Sequence, residues 1–438
     1  MASPFAGPEP CSANGMGPAD RNLKPRRVAY IMSRFPKLTE TFVLDEILEL
    51  ERAGIAVEVF PLWREPAKVM HREAQPIVAR AHFTPTLGLA ILRDNLRWLF
   101  RRPVVYLQTL TKLAWANRAS PRFLVAALAI FPKACHFAER MRALDVQHVH
   151  AHFASHPAAA AFVVGRLAEI PWSFTAHGSD LHREQSMLAE KVREARFVVA
   201  ISEHNRDFIL DSVGPQFDGK IRVLHCGVDT ACYASGREKR SASRKDRTPT
   251  SPIEIACIGT LHEVKGQRFL LDACARLSDM GVEWRCHLIG DGPDRVSLER
   301  QASKFGMQDS VVFHGHCERE RVRALLIQMD VVVAPSVPTS DGRREGIPVV
   351  LMEAGACALP LVASRLSGIP ELVINGQTGL LVEPGDAEGI AQAIYRLSKD
   401  SELRRQLGDR VLKKLELEFN LENNVERLRA EFFAMDGP

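Results

Sequence analysis

Two glutamates, Glu345 and Glu353, stand on either side of a Gly-Ile-Pro turn and the start of an apolar run, with seven residues between them. Pro348 suits the first turn of a helix, because it has no N–H to leave unpaired there and its φ is already helical. The pattern predicts a helix from about 346–348 to about Cys357. Glu353 would then lie roughly 7 Å along the axis from Pro348, at about 1.5 Å per residue.

This spacing suits a ligand with an anionic centre and hydroxyl groups at both ends. The N–H groups at a helix start attract phosphate, and carboxylates accept hydrogen bonds from paired hydroxyls. A nucleotide sugar has this form, with a diphosphate between its sugar and its ribose. The alternative is a solvated loop carboxylate at Glu345 and a helix carboxylate paired with an arginine at Glu353.

Other strand exits in the same half of the chain add candidate groups. In CIGTLHEVKGQ a strand ends in a Gly turn, and Lys265 with Gly266 follows at a helix start, where the cation can neutralise a diphosphate. HLIGDGP, 287–293, is a second strand with a Gly-rich exit. Such exits bind ligands in open parallel sheets.

Strands that alternate with helices position these residues. RRVAYIMS, HVHAHF, SFTAHG, FVVAISE and IRVLHCG are short apolar runs typical of buried parallel strands, and the alternation restarts with EIACIGT. The sequence therefore predicts an α/β protein of two doubly wound, Rossmann-like domains that face each other across a cleft.

Composition and flanking segments set the predicted domain limits. A disordered tail over 1–25 precedes a first domain over 26–232, and a solvated Lys/Arg-rich linker over 233–251 leads to a second domain over 252–415. The final segment, 416–438, is an amphipathic helix that could cross back onto the first domain. At 438 residues the chain is too long for one hydrophobic core.

Charge and hydropathy exclude two classes of protein. The formal net charge is only +4, with 57 Lys and Arg against 53 Asp and Glu, which argues against nucleic-acid binding through bulk charge. No apolar run reaches the roughly 18 residues of a membrane span. We therefore expect a cytoplasmic protein, with peripheral attachment to the inner face of the plasma membrane as an option.

The ordered series of motifs resembles a known family. In the second half Gly259, Lys265-Gly266, IGDGP, VVFHGH, DVVVAPS, EGIPVVLMEAGACALPLVAS and GIPELVINGQTGLLVEPGD follow in the order seen in the donor domain of retaining family 4 glycosyltransferases of the GT-B fold. In the first half SRFPKLTETFVLDEILELERAG, HVHAHFASHPA, FTAHGSDL, AISEHNRDFI and IRVLHCGVD resemble the branch that builds exopolysaccharides such as colanic acid.

The resemblance assigns roles to individual residues. It implies that Glu345 contacts the transferred sugar, Glu353 the ribose hydroxyls and Lys265 the diphosphate, with His177 under the anomeric centre and Asp180 shaping the same turn. The donor-binding set is Gly259, Thr260, Lys265, Gly290, Gly346, Ile347, Pro348 and Glu353, the catalytic pair is His177 and Glu345, and the acceptor side comprises Thr39, Glu40, Thr41 and Asp180.

Two positions depart from the family pattern. Family members often carry Arg where this chain has Thr260, and Arg343 or Arg344 could supply the missing charge. The common Gly-Gly pair of the first loop is replaced by SRFPKLTET, whose hydroxyls and helix start could still bind phosphate.

Three histidines, His148, His150 and His152, alternate along one strand and share one face. They could ligate zinc, but no carboxylate or cysteine joins them at ligand spacing, and the glycosyltransferase reaction implied by the resemblance needs no metal or other cofactor. We favour structural histidines with hydrogen-bonded rings.

The segment LRDNLRWLFRRP, 92–103, carries Trp98 among arginines 93, 97, 101 and 102. A helix of this type can lie on an anionic bilayer with its Trp at the headgroup level. The alternative is a helix packed on its own domain with solvated arginines.

The expected function is transfer of a hexose-type sugar, with retention, from a nucleoside diphosphate sugar to a glycan or polyprenyl-linked glycan in exopolysaccharide biosynthesis. The partners are the nucleotide sugar, the glycan acceptor and an anionic membrane surface, with no nucleic acid. The alternatives are a glycan phosphorylase, for which we find no pyridoxal-phosphate lysine context, and an inactive GT-B scaffold that binds nucleotide or glycan without turnover.

Overall fold

The computed structural model describes residues 26–37, 40–66, 70–86, 88–182, 185–243 and 251–434. The predicted disordered tail and Thr39 lie outside these ranges.

The first domain is built on one parallel sheet. Its strands are β1 (Arg27–Phe35), β2 (Ala56–Arg64), β3 (His148–His152), β4 (Trp172–Ala176), β5 (Val198–Ala200) and β6 (Ile221–Val223). Its helices are α1 (Thr41–Arg52), α2 (Ala74–Arg80), α3 (Leu89–Arg101), α4 (Pro103–Ala116), α5 (Pro121–Ala143), α6 (His156–Ala168), α7 (Ser179–His182), α8 (Leu188–Glu194) and α9 (Glu203–Val213), with short 3-10 helices at Pro215–Lys220 and Thr230–Tyr233. The strand order is β2-β1-β3-β4-β5-β6.

The second domain repeats this plan. Its strands are β7 (Ile253–Ile258), β8 (Trp284–Ile289), β9 (Val311–Gly315), β10 (Val331–Ala334), β11 (Leu361–Ser364) and β12 (Leu380–Val382), in the order β12-β11-β10-β7-β8-β9. The helices are α10 (Ala234–Ser243), α11 (Gln267–Asp279), α12 (Arg295–Lys304), α13 (Arg319–Leu326), α14 (Val349–Ala356), α15 (Ile369–Leu372), α16 (Ala387–Lys399), α17 (Ser401–Glu418) and α18 (Leu421–Phe433), with a 3-10 turn at Glu263–Lys265.

Both sheets reverse their strand order once, between β1 and β3 in the first domain and between β7 and β10 in the second. Ligands bind outside the carboxyl ends of strands at such points. The central strands are buried along their length, as expected for sheets covered on both faces, and β3 is the polar exception with three histidines. The predicted fold of two doubly wound domains facing across a cleft is confirmed.

Helix α18 lies on the first domain. Its Phe432 packs between Tyr30, His148 and His150 in the core beneath β1 and β3. The crossing point is tight, because a Cβ on Gly227 would lie 2.4 Å from the Cα atom of Leu421.

The Lys/Arg-rich segment predicted as a solvated linker is helical over its first ten residues, as α10. Arg237 donates to the Ala356 carbonyl, and Arg240 donates to the carbonyls of Cys357 and Ala358. These carbonyls lie at the end of α14, where the helix supplies no N–H groups to bond them. The arginines donate the missing hydrogen bonds, and their charge is favourable beside the partial negative charge of a helix end. The prediction of a solvated linker was wrong for this part.

Of the two alternatives for the Trp98 segment, Trp98 at the headgroup level is wrong and the helix packed on its own domain is confirmed. Trp98 is 1% exposed and its indole N–H donates to the Cys135 carbonyl at 3.0 Å. The helical period places Trp98 on the same buried face of α3 as Ile91 and Asp94. Among the described residues, no helix is both long and apolar enough to cross a bilayer.

Candidate active site

A cleft of about 730 Å3 separates the carboxyl ends of the two sheets, within the usual size of small-molecule sites. Apart from Thr39, which is outside the described residues, every residue predicted for the site lines it. These residues are Glu40, Thr41, His177, Asp180, Gly259, Thr260, Lys265, Gly290, Gly346, Ile347, Pro348, Glu345 and Glu353.

The start of α14 is one wall of the cleft. Pro348 precedes the first helical residue, so the N–H groups of Val349 and Val350 have no helical acceptors, while the Leu351 N–H donates to the Pro348 carbonyl at 3.0 Å. Beside this start, Lys265 Nζ lies 2.8 Å from Glu345 Oε2, and each side chain is about one-fifth exposed. A cation, a carboxylate and free helix N–H groups thus occupy one corner of the cleft.

Two glycines let the strand exits approach each other. Gly259 and Gly290 have φ of +144° and +141°, a region that favours glycine. A Cβ on Gly290 would lie 2.0 Å from the Gly259 carbonyl oxygen. The side chain of Lys265 runs over Gly259, where a Cβ would be 3.1 Å from its Cε atom. The exits of β7 and β8 therefore form a floor of bare backbone under the lysine.

Arg343 lies near this floor. Its Nη1 atom is 3.3 Å from His262 Nε2, while His262 Nδ1 accepts the N–H of Val264. Arg343 and Arg344 both line the cleft, but Arg343 is the one held against the loop that carries Thr260. The structure therefore brings a second cation to the loop where the family pattern has Arg.

Glu353 lies deeper, on α14. Burial raises the pKa of its carboxyl, while the charge of Arg319 acts in the opposite direction. Arg319 itself forms a two-fold ion pair across the domains, with Nη1 and Nη2 at 2.7 and 2.6 Å from the carboxylate oxygens of Asp45. Sequence reasoning missed this pair. Arg319 stands just after the loop that follows β9, so the strand-exit rule is the one signal that points to it.

The first domain contributes the opposite wall, centred on His177. Its ring lies between Phe42 and Phe153, with ring centroids 4.7 and 4.6 Å away. Nε2 of His177 is 3.1 Å from Nδ1 of His152. Burial, and secondarily the neighbouring His152, hold the pKa of His177 well below its ordinary value. At neutral pH this wall therefore presents an uncharged imidazole.

Asp180 fixes the turn that carries His177. Oδ1 accepts the N–H groups of His177 and Gly178 at 3.0 and 2.8 Å, and Oδ2 accepts the N–H of Ala154 at 2.6 Å. The buried Lys191 donates to the Ala154 carbonyl at 2.7 Å. One carboxylate thus ties the exits of β3 and β4 together.

The two walls touch at Gly346. A Cβ on this residue would lie 2.7 Å from the His177 carbonyl oxygen and 2.9 Å from Ile201 Cδ1. Any larger residue would push the α14 loop away from the His177 turn. This contact brings Glu345 and His177 to the same point of the cleft.

The three strand histidines are buried, and two of them, His148 and His150, are bonded to hydroxyls. His148 Nε2 lies 2.7 Å from Ser173 Oγ, and the two nitrogens of His150 lie 2.8 Å from Ser173 Oγ and Thr175 Oγ1. Burial lowers the pKa of His148 to about 3.

The expectation that no carboxylate joins these histidines was wrong. Glu46, from α1, groups with His150 and His152 closely enough to share an ion. Its position could not be read from the sequence, since more than 100 residues separate it from them. Because both nitrogens of His150 already have hydroxyl partners, the arrangement favours a hydrogen-bonded cluster over a metal site.

On the remaining edge, Lys37 Nζ lies 2.6 Å from Glu40 Oε1, and Thr41 is the first residue of α1. The cleft is also lined by His71, Arg122, Phe123 and His156, which sequence reasoning did not select. They come from the helical region between β2 and β3 and from the start of α6, where no motif or spacing marked them.

Family models cover most of the chain. Residues 39–231 match Glycosyltransferase Family 4, and residues 238–414 match Glycosyl transferases group 1. The putative colanic acid biosynthesis glycosyltransferase WcaL of Escherichia coli K12 is 28% identical over 90% of this chain and 96% of its own. The amylovoran biosynthesis glycosyltransferase AmsK of Erwinia amylovora is 26% identical over 85% and 91%.

Solved structures agree on the fold. Anabaena Alr3699/HepE in complex with UDP superposes with a TM-score of 0.66 at 18% identity, over 94% of this chain and all of that one. The sucrose-phosphate synthase of Thermosynechococcus elongatus gives a TM-score of 0.65 at 19% identity, over 92% and 97%.

Proposed function

Since the chain consists of a family 4 and a group 1 glycosyltransferase domain, we propose that it transfers a hexose from a nucleoside diphosphate sugar to a hydroxyl of a growing glycan, with retention at the anomeric carbon. The similar proteins of Escherichia coli and Erwinia amylovora are named for colanic acid and amylovoran biosynthesis, which supports an exopolysaccharide product. We propose a glycan acceptor, free or linked to a polyprenyl carrier.

One observation carries the proposal: the Lys265–Glu345 pair stands at the open start of α14, and the adjoining Gly346 touches the His177 turn. Lys265 and the helix N–H groups would hold the diphosphate, with Arg343 as the second cation. Glu345 would leave Lys265 to accept hydroxyls of the sugar, and Glu353 would accept those of the ribose.

The resemblance to retaining family 4 glycosyltransferases supports retention, and the walls of the cleft bear on how it is achieved. In the proposed step the bond from the anomeric carbon to the diphosphate oxygen breaks, and the acceptor oxygen bonds to the same face. The acceptor hydroxyl gives its proton to the departing diphosphate. Among the described residues no carboxylate is an evident nucleophile on the opposite face, since Glu345 pairs with Lys265 and Glu353 lies deep near Arg319. We therefore favour front-side displacement over a covalent intermediate.

The reaction as proposed needs no bound metal. Negative charge grows on the diphosphate as the bond breaks, and fixed donors aimed at that charge stabilise the transition state. Lys265, Arg343 and the start of α14 are such donors.

The first experiment is a thermal-shift screen of purified protein against UDP, GDP and ADP sugars. A ligand at about 100 times its dissociation constant adds about 2.7 kcal/mol to the free energy of unfolding. The sugar nucleotide that stabilises is then incubated with glycan acceptors, and NMR of the product determines the anomeric configuration. An inverted product would contradict the retaining mechanism.

The second candidate is a GT-B scaffold that binds nucleotide or glycan without turnover, and Thr260 at the usual arginine position is the observation that favours it. Slow hydrolysis of the stabilising sugar nucleotide distinguishes the two. Binding with neither hydrolysis nor transfer to any glycan would favour the scaffold.

A further inference from the structure

Helices α3, α4 and α5 expose a set of large apolar side chains, which we call the α3–α5 face. Leu89, Phe100 and Trp115 are 86%, 81% and 65% exposed. The full set is Leu89, Leu92, Leu96, Phe100, Val104, Leu107, Trp115, Val125 and Leu128. Single exposed apolar residues are ordinary, but a concentration of them on adjacent helices indicates a binding surface.

The spacing shows that the face is continuous along each helix. On α3 the exposed residues follow one another at intervals of three or four, from Leu89 to Phe100. On α4 Val104 and Leu107 are three residues apart, and Trp115 follows two turns later on the same side. The opposite side of α3, with Ile91 and Trp98, packs into the domain. Both sides of this helix therefore carry apolar residues, and among the described residues only the side with Ile91 and Trp98 packs into the domain.

The charged residues around the α3–α5 face indicate the chemistry of its partner. From 85 to 130 the sequence has seven Lys and Arg but a single acidic residue, Asp94, which is 1% exposed. Arg93 pairs with Asp94 and Arg97 with Asp94 and Glu139, yet both keep half or more of their side chains exposed. Arg102 and Lys112 pair with Glu169 and Glu194 from neighbouring elements. Arg118 lies over the ring of Trp115 at 3.6 Å. The face is thus apolar with a cationic rim.

We propose that the α3–α5 face docks on an anionic lipid bilayer. Apolar side chains would enter the headgroup boundary, Trp115 would lie at its level, and the arginines would meet the lipid phosphates. A second copy of the chain is a poor occupant, because a two-fold contact would bring the same cationic rim against itself. The anchoring Trp is therefore Trp115, in place of Trp98.

The position of the face fits a lipid-borne substrate. Arg122 and Phe123, in the first turn of α5, line the cleft, and Val125 and Leu128 of the same helix belong to the α3–α5 face. A docked protein would therefore keep the His177 side of the cleft near the membrane. The link to a lipid-borne substrate rests on the proposed function, whereas the docking of the α3–α5 face does not.

The test is sedimentation with vesicles of phosphatidylcholine, with and without about 30% phosphatidylglycerol, at low salt where cationic attraction is not screened. The face variant Leu92→Ser/Phe100→Ser/Trp115→Ser is compared with Val296→Ser/Phe305→Ser/Leu417→Ser, which removes exposed apolar residues from the second domain. We expect wild type and the control to bind anionic vesicles, and the face variant to lose at least about tenfold in partition.

A second variant, Arg101→Glu/Arg118→Glu, tests the rim. Loss of each arginine should lower partition onto anionic vesicles about fivefold, with little change on neutral vesicles. Thermal denaturation of each variant checks that the fold is intact. The sedimentation assay contains no sugar donor or acceptor, so a lack of vesicle binding would contradict docking without contradicting the proposed transfer reaction.

Three results would overturn the proposal. The first is a wild type that does not bind anionic vesicles at low salt, and the second is a face variant that binds as well as the control. The third is a wild-type dimer, seen by light scattering without vesicles, that the face substitutions disperse. That outcome would assign the face to self-association.

Discussion

On the second-domain wall of the cleft each polar group follows its own strand or helix start, whereas on the first-domain wall one turn depends on several distant elements. Lys265 and Glu345 need little beyond their own loops and each other. His177 is held by two rings, by His152 and, through Asp180, by the exit of β3. Substitutions on the second-domain wall should therefore remove ligand contacts alone, whereas substitutions on the first-domain wall should also destabilise the fold.

The largest effect is expected at Glu345. Glu345→Gln should lower turnover by about 100-fold, equivalent to about 2.7 kcal/mol, because the lost interaction acts on the transferred sugar. Its stability and nucleotide affinity should change little. The matched variant Glu353→Gln should instead weaken nucleotide binding, by about 1–3 kcal/mol. Steady-state kinetics and calorimetry measure both, and similar small effects would remove the distinction between the two carboxylates.

Asp180→Asn tests the other wall. The amide would place an N–H group where a carboxylate oxygen now accepts a backbone N–H, and the buried backbone donor would lose its partner. We expect the free energy of unfolding to fall by about 2–3 kcal/mol, with transfer reduced and nucleotide affinity kept. Urea unfolding provides the measurement. A variant as stable as wild type would mean that the two walls do not differ as described.

Lys265→Ala tests the phosphate contact proposed for the second-domain wall. The lost interaction is with phosphate charge, so affinity for the nucleoside diphosphate should fall by about 1.5–3 kcal/mol. Affinity for the corresponding nucleoside should be almost unchanged. Arg344→Ala is the control, since Arg343 rather than Arg344 contacts the first loop of the domain. Equal weakening of both ligands would give Lys265 a structural role.

The last prediction concerns the stability of the first domain at low pH. Burial lowers the pKa of His148 to about 3 and that of His150 well below its ordinary value. In the unfolded chain both histidines have a pKa near 6.5, so below that pH only the unfolded chain takes up the proton. The free energy of unfolding is therefore highest above pH 6.5 and falls as the pH drops towards about 3, by up to about 1.4 kcal/mol per pH unit for each histidine. Limited proteolysis at pH 5 should cut the first domain before the second. Earlier cleavage in the second domain would contradict this.

The alternation of strands and helices sufficed for the fold, and a proline after Gly-Ile located the start of α14 to within a few residues. The predicted cleft residues came from strand exits, where topology alone brings them together. Ion pairs between segments far apart in the sequence could not be predicted in this way. Arg319 and Asp45 are 274 positions apart, and nothing local in either marks the other. Trp98 was misplaced because its helix is apolar on both sides.

The crossing of α18 onto the first domain bears on how the chain folds during synthesis. Phe432 completes a core that includes Tyr30 and His148, yet the ribosome adds it about 200 residues after the first domain's sheet is complete. At about 5–20 residues per second the nascent first domain waits about 10–40 s with that part of its core uncovered. Chaperones that bind exposed apolar surface therefore have a defined interval and a defined patch on which to act.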